Sequence, residues 1–166
     1  MGEKIHLSPI EIIKDPVHFF AFGLGSGLSP KAPGTFGTLM ALVIYWFMLA
    51  DMSLYWYIAV VVSSIPLGIY LCGESARRLG VHDYGGIVWD EFSGLWITFI
   101  FAPKHWLVAL IGFALFRFFD IIKPWPIKWA DQKVSGGLGI MLDDILAGLM
   151  SLIVLQLLLM SNWLPL

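Results

Sequence analysis

One cysteine in 166 residues, Cys72, excludes an internal disulfide and any cysteine-built metal cluster. Charge is scarce as well: Asp, Glu, Lys and Arg make up 13% of the chain and the formal net charge is -2. No basic surface can therefore neutralise a polyanion, and nucleic acid is excluded as a partner. Internal repeats and low-complexity linkers are missing. The first sixteen residues, M-G-E-K-I-H-L-S-P-I-E-I-I-K-D-P, have charges scattered through them and no apolar core of signal-peptide length. Insertion into a membrane is therefore expected to be driven by the mature chain.

What is present is apolar surface. Hydrophobic residues make up 58% of the chain, and the mean hydropathy of +0.82 is too high for an ordinary soluble domain of this size. The expected fold is all-α: a single polytopic domain over 1–166 with about four to five membrane-embedded helices. Five apolar stretches support this, at 36–50, 54–72, 87–102, 106–119 and 145–160. A crossing helix needs about 20 residues, with a floor near 17. Only the second meets that without its flanks, and 106–119 is the weakest.

Cation placement gives a second line of argument, because short translocated loops avoid Lys and Arg. Lys4, Lys14, Lys31, Arg77, Arg78, Lys123, Lys128 and Lys133 lie in three alternate polar segments, against Lys104 alone in the others. That asymmetry predicts an inside N-terminus, with 1–35, 73–86 and 120–144 cytoplasmic. Trp56, Trp106 and Trp163 would mark the outer boundary; Trp89, Trp125 and Trp129 the inner one. A short helix in P-W-P-I-K-W-A-D-Q-K would present Trp125 and Trp129 to lipid beside Lys128 and Lys133.

Five carboxylates break the apolar pattern. Asp90 and Glu91 open the third stretch, Asp120 ends the fourth, and Asp143 with Asp144 opens the fifth. Individually each has an ordinary reading: a helix cap contributing about 1 kcal/mol for Asp143 or Asp144, and an i,i+3 pair with Arg117 for Asp120. Their convergence from three separated segments on one interface is what those readings leave unexplained. Clustered acids at such depth raise one another's pKa or collect a cation, and oxygen-only ligation suits a hard divalent ion, with Mg2+ the first choice. G-S-G-L-S-P-K-A-P-G-T-F-G-T, residues 25–38, adds Lys31, Thr35 and Thr38 on a glycine-rich loop before a helix expected to begin near Thr35. Converging amides there would hold an anion, although the stretch lacks the ending of a Walker A loop. Arg117 and Lys123 flank Asp120 and can clamp phosphate oxygens. His82 in V-H-D-Y-G-G is either an exposed imidazole or a proton donor to a leaving alkoxide. Cys72 and Arg78 match the Cys-x5-Arg spacing of cysteine phosphatases, a match taken as chance because a helix C-terminus opposes a thiolate.

Four segments together resemble the phosphatidylglycerophosphatase A family of bacterial inner-membrane lipid phosphatases. They are residues 25–38, V-H-D-Y-G-G-I-V-W-D-E-F-S-G, F-R-F-F-D-I-I-K-P-W-P-I and G-G-L-G-I-M-L-D-D-I-L-A-G, within a resemblance running from about Phe20 to about Gly148. It implies Mg2+-dependent hydrolysis of phosphatidylglycerophosphate to phosphatidylglycerol, with the active site facing the cytoplasm. On that reading Asp90, Glu91, Asp120, Asp143 and Asp144 hold the metal, with Asp90 and Glu91 orienting or deprotonating water. Lys31, Thr35, Thr38, Arg117 and Lys123 bind phosphate, and His82 protonates the departing oxygen. Direct attack by an Asp carboxylate is the alternative chemistry. The competing class is a transporter or channel, which would carry its acids near the bilayer centre.

Overall fold

The computed structural model describes residues 8–81 and 84–161, and every regular element among them is helical. The order is α1 (Pro9–Lys14), α2 (Pro16–Ala21), a 3-10 turn (Ser26–Leu28), α3 (Pro33–Ile44) continuing as a π-helical segment (Tyr45–Leu49), α4 (Leu54–Leu79), α5 (Trp89–Thr98), α6 (Trp106–Ile122), α7 (Ile127–Lys133) and α8 (Gly136–Met160). Each apolar stretch of the sequence becomes a helix. The helices α4 and α8, 26 and 25 residues long, are long and apolar enough to cross a membrane by length and composition. At 1.5 Å per residue each rises about 38 Å. The α3 helix with its π continuation (12 and 5 residues) and α6 (17 residues) are shorter, near 25 Å. At 10 residues α5 rises only about 15 Å.

Its short length suits α5 to the middle of the bundle, where α3, α4, α6 and α8 surround it. Every residue from Glu91 to Thr98 is buried. Polar side chains bind the helix to its neighbours: Ser93 Oγ lies 2.9 Å from Ser64 Oγ of α4, Trp96 Nε1 donates to Ala41 O of α3 (3.0 Å), and Tyr57 of α4 donates to Trp96 O (2.6 Å). The α5 and α8 backbones touch at a pair of glycines. A β-carbon on Gly148 would strike the carbonyl of Gly94, and one on Gly94 would come 2.7 Å from Asp144 O. Only glycine at both positions allows this approach.

Contacts of Arg117 with Thr38 and Glu91, of Lys123 with Asp143 and of Gly73 with Gly137 place the starts of α3, α5 and α8 at the end where α4 and α6 finish. At the opposite end Lys104 Nζ donates to Asp51 (2.5 Å), tying the α3–α4 connection to the α5–α6 connection. Gln156 of α8 donates to Ile100 O there (3.0 Å). The outward faces are apolar: Phe47 is 76% exposed, Tyr55 75% and Met160 77%. So much exposed aromatic and aliphatic surface on one small chain marks a lipid or protein contact.

The N-terminal helices are fastened to the end of α4. Ser8 and Glu11 form a capping box on α1, and Asp15 caps α2 by accepting from Val17 N (2.8 Å) and His18 N (3.3 Å). Asp15 also accepts from Arg78 (2.7 Å), and buried His18 Nδ1 lies 2.8 Å from Ser75 Oγ. Cys72 is buried within α4, which continues seven residues further to Leu79, and Arg78 is engaged by Asp15 and Glu74. The cysteine-phosphatase spacing is thus without an active-site geometry.

Candidate active site

Glycines in α3 make room for the central carboxylate. The helix starts at Pro33, two residues before the expected Thr35, with Ala32 in the left-handed region (φ 49°) turning the chain into it. In the first two turns, Gly34 and Gly37 face Glu91: a β-carbon on Gly37 would lie 2.7 Å from Glu91 Oε2, and one on Gly34 would press on Oε1. Thr38 Oγ1, on the same helix, stands 3.0 Å from Glu91 Oε2 and 2.9 Å from Gly34 O. The glycine-rich segment therefore houses Glu91 as well as presenting a helix N-terminus. Spacing alone did not indicate that role, although glycines three apart share a helical face.

Arg117 joins α6 to this pair. Its Nη1 donates to Asp120 Oδ2 (2.6 Å), Glu91 Oε1 (3.3 Å) and Thr38 Oγ1 (3.3 Å), while its buried Nε has no partner among the described residues. The i,i+3 pair with Asp120 thus forms, and it serves a larger cluster. Lys123, left-handed at the end of α6 (φ 47°), donates to Asp131 (2.5 Å) on α7 and to Asp143 (2.7 Å) on α8. Burial pulls its ammonium down, but the two carboxylates hold its pKa above the usual lysine range. Asp131, exposed on α7, is therefore half of this clamp.

Asp143 and Asp144 sit differently from the cap reading. Because α8 starts at Gly136, they are its eighth and ninth residues, well past the first turn where caps and the helix dipole act. Both are buried, and one oxygen on each (Oδ1), together with Asp90 Oδ1, is without a hydrogen-bond partner among the described residues. Asp144 lies within electrostatic reach of Asp120, Asp90, Asp143 and Glu91. Unpartnered buried carboxylate oxygens are costly to hold apart from a cation or a proton. The described residues do not form a ready-made cage of three or more ligands. Hard oxygen donors in this number still fit a cation that keeps waters and shares its coordination with phosphate.

The sequence-derived residues thus separate into groups. Glu91, Asp120, Arg117 and Thr38 are in mutual contact, Lys123 and Asp143 form a second contact, and Asp90 and Asp144 present the open oxygens. Lys31 and Thr35 are exposed at the start of α3, where the first helical amides have no intrahelical acceptor. His82 lies outside the described residues. Trp125 and Trp129 are exposed as expected, with Trp129 on α7 and Trp125 in the turn before it.

An arginine and a set of acids are gathered at one end of an apolar helical bundle and not along its middle, an arrangement suited to an anionic group. The family model for phosphatidylglycerophosphatase A matches residues 19–159. The chain is 48% identical to a phosphatidylglycerophosphatase A of Escherichia coli over 140 residues, covering 84% of this chain and 81% of that one. It is 42% identical to one of Haemophilus influenzae, covering 93% and 94%. A protein of Bacteroides thetaiotaomicron named as a proposed phosphatidylinositol-3-phosphatase is 38% identical, covering 80% and 87%. No solved structure matches. The chain belongs to the phosphatidylglycerophosphatase A family, and is a phosphatase.

Proposed function

We propose that this enzyme hydrolyses the phosphate monoester of phosphatidylglycerophosphate, giving phosphatidylglycerol, with Mg2+ as cofactor and at the cytoplasmic face of the bacterial inner membrane. The observation that carries the reading is the juxtaposition of Arg117, with an unspent Nε, and Glu91 beside the unpartnered oxygens of Asp90, Asp143 and Asp144. In the membrane, α3 with its π segment, α4, α6 and α8 are embedded and α5 is sheltered within them. Their outward apolar side chains support this, as does the gathering of Lys31, Arg77, Arg78, Lys123, Lys128 and Lys133 near the site end.

Asp90, Asp143 and Asp144 would hold Mg2+, with Glu91 and Asp120 adjoining. When bound, the ion neutralises phosphate charge and lowers the pKa of water. Arg117 and the free amides at the start of α3, with Lys31 and Thr35, bind the phosphate oxygens. Glu91, oriented by Thr38, takes the proton from the attacking water. As the new P–O bond forms, the bond to the glycerol oxygen breaks. The leaving alkoxide takes a proton, for which the sequence offers His82, and inorganic phosphate departs. Lys123 donates to Asp143 Oδ2 and so holds that carboxylate in place, with its other oxygen left open.

Phosphate release in detergent micelles tests the reading. Phosphatidylglycerophosphate should be hydrolysed with Mg2+ and not after chelation, and faster than phosphatidic acid or phosphatidylinositol 3-phosphate. Equal rates on all three lipids would refute the substrate, and chelator-resistant turnover the cofactor.

A further inference from the structure

An apolar groove of about 380 Å³ lies between α3 and α6, walled by Leu42, Val43, Trp46, Phe47, Trp106, Ala109 and Leu110. Its position follows from helical periodicity. Leu42 stands one turn beyond Thr38 on α3 and Trp46 follows in the π segment, while Leu110, Ala109 and Trp106 continue the stripe of Arg117 on α6. Thr38 and Arg117 are the residues through which the two helices meet at the site, 3.3 Å apart. The groove therefore begins about 6 Å from the site along α3 and about 10 Å from it along α6, and extends to about 16 Å along α6. Trp46 and Trp106 stand at its far end, where Lys104 Nζ lies 5.5 Å from the Trp46 ring centre.

We infer that this groove holds one acyl chain of the lipid whose phosphate sits at Arg117, and that Trp46 and Trp106 limit the chain length it accepts. The inference rests on the lipid-phosphatase reading above. Continuity selects the occupant: a lipid with its phosphate at the Thr38–Arg117 junction must send its chains away from the polar end, and the stripes that meet at that junction lead into the groove. The groove's volume falls in the range of small-molecule sites, and its walls offer a chain nothing polar to desolvate. A chain held there would fix the headgroup's register, so that binding energy far from phosphorus contributes to orientation at the reacting bond.

The test compares kcat/KM for dioleoyl and dihexanoyl phosphatidylglycerophosphate in the purified full-length enzyme. Val43→Trp, at a half-exposed position, and Ala109→Phe, at a buried one, each fill the groove. The expected result is a tenfold or larger fall in the long-to-short ratio for Val43→Trp, with Ala109→Phe agreeing where it folds. Ile153→Trp, on an exposed face of α8, should leave the ratio unchanged. An unchanged ratio in Val43→Trp overturns the groove assignment while the wild-type enzyme still cleaves both lipids. Failure of the wild type to cleave either lipid overturns the phosphatase reading itself.

Discussion

Replacing Gly37 with alanine adds a single carbon to the wall that holds Glu91. The new β-carbon would stand 2.7 Å from Glu91 Oε2 and 2.6 Å from Val88 Cβ, where unstrained non-bonded carbons prefer about 3.5 Å or more. Val88 is fully buried and can give little, so the carboxylate moves by roughly half an ångström or more and its 3.0 Å contact with Thr38 opens. Two terms oppose each other in stability: alanine gains about 1 kcal/mol of helix propensity over glycine, and overpacking costs about 1–3 kcal/mol. The net loss is at most about 2 kcal/mol, small enough for the protein to remain folded. Activity has no such compensation, because misplacement of a reacting group by about 1 Å reduces rate by about a hundredfold. Gly37→Ala should therefore lower kcat in micelles by one to two orders of magnitude with a thermal midpoint close to wild type. Gly85→Ala, where a β-carbon meets nothing within 4 Å, is the control. Wild-type kcat in Gly37→Ala would refute the idea that the α3 glycines exist to position Glu91.

Arg117→Met removes the shared partner of Glu91 and Asp120 and leaves two largely buried acids uncompensated, a loss of about 3 kcal/mol readable as a lower thermal midpoint in detergent. Asp144→Asn removes one of several mutually repelling charges, so the midpoint should hold or rise while turnover falls by orders of magnitude; unchanged turnover would remove Asp144 from the site. Burial pushes the His18 imidazole below its ordinary pKa, so the folded state favours the neutral ring. That preference carries no penalty above the unfolded value near 6.5, and stability is lost as pH falls below it, by up to about 1.4 kcal/mol per pH unit. His18→Gln should flatten this acid limb in thermal melts between about pH 6.5 and pH 5. A reporter fused to the C-terminus should lie on the side opposite the site, since α8 runs from Asp143 to the end marked by Asp51 and Lys104.

Helical class and the approximate position of every long element could be read from the sequence, because apolar runs bounded by charge leave few alternatives. Boundaries were harder where glycine intervened. The run G-G-L-G looks like a loop, yet it forms the first turn of α8, because Gly137 lets that turn pack against Gly73 of α4, whose amide nitrogen would be 3.0 Å from a β-carbon there. That difference moves Asp143 and Asp144 from a helix cap into a helix interior. The Arg117–Asp120 pair was visible as an i,i+3 spacing. Its extension to Glu91 and Thr38 was not, because contacts 26 and 79 residues apart leave no local periodicity. The same holds for His18 and Ser75, 57 residues apart.

The Gly94–Gly148 contact also bears on how the protein is made. At 10 residues the segment that starts with Asp90 and Glu91 is too short to cross a bilayer alone, and the largest surface that shelters it belongs to α8, which follows it in the chain. A nascent chain stopped before α8 would leave Asp90 and Glu91 without that cover. Competence for chemistry therefore waits on a helix made after the segment it covers, since a chain cut short before α8 also lacks Asp143 and Asp144.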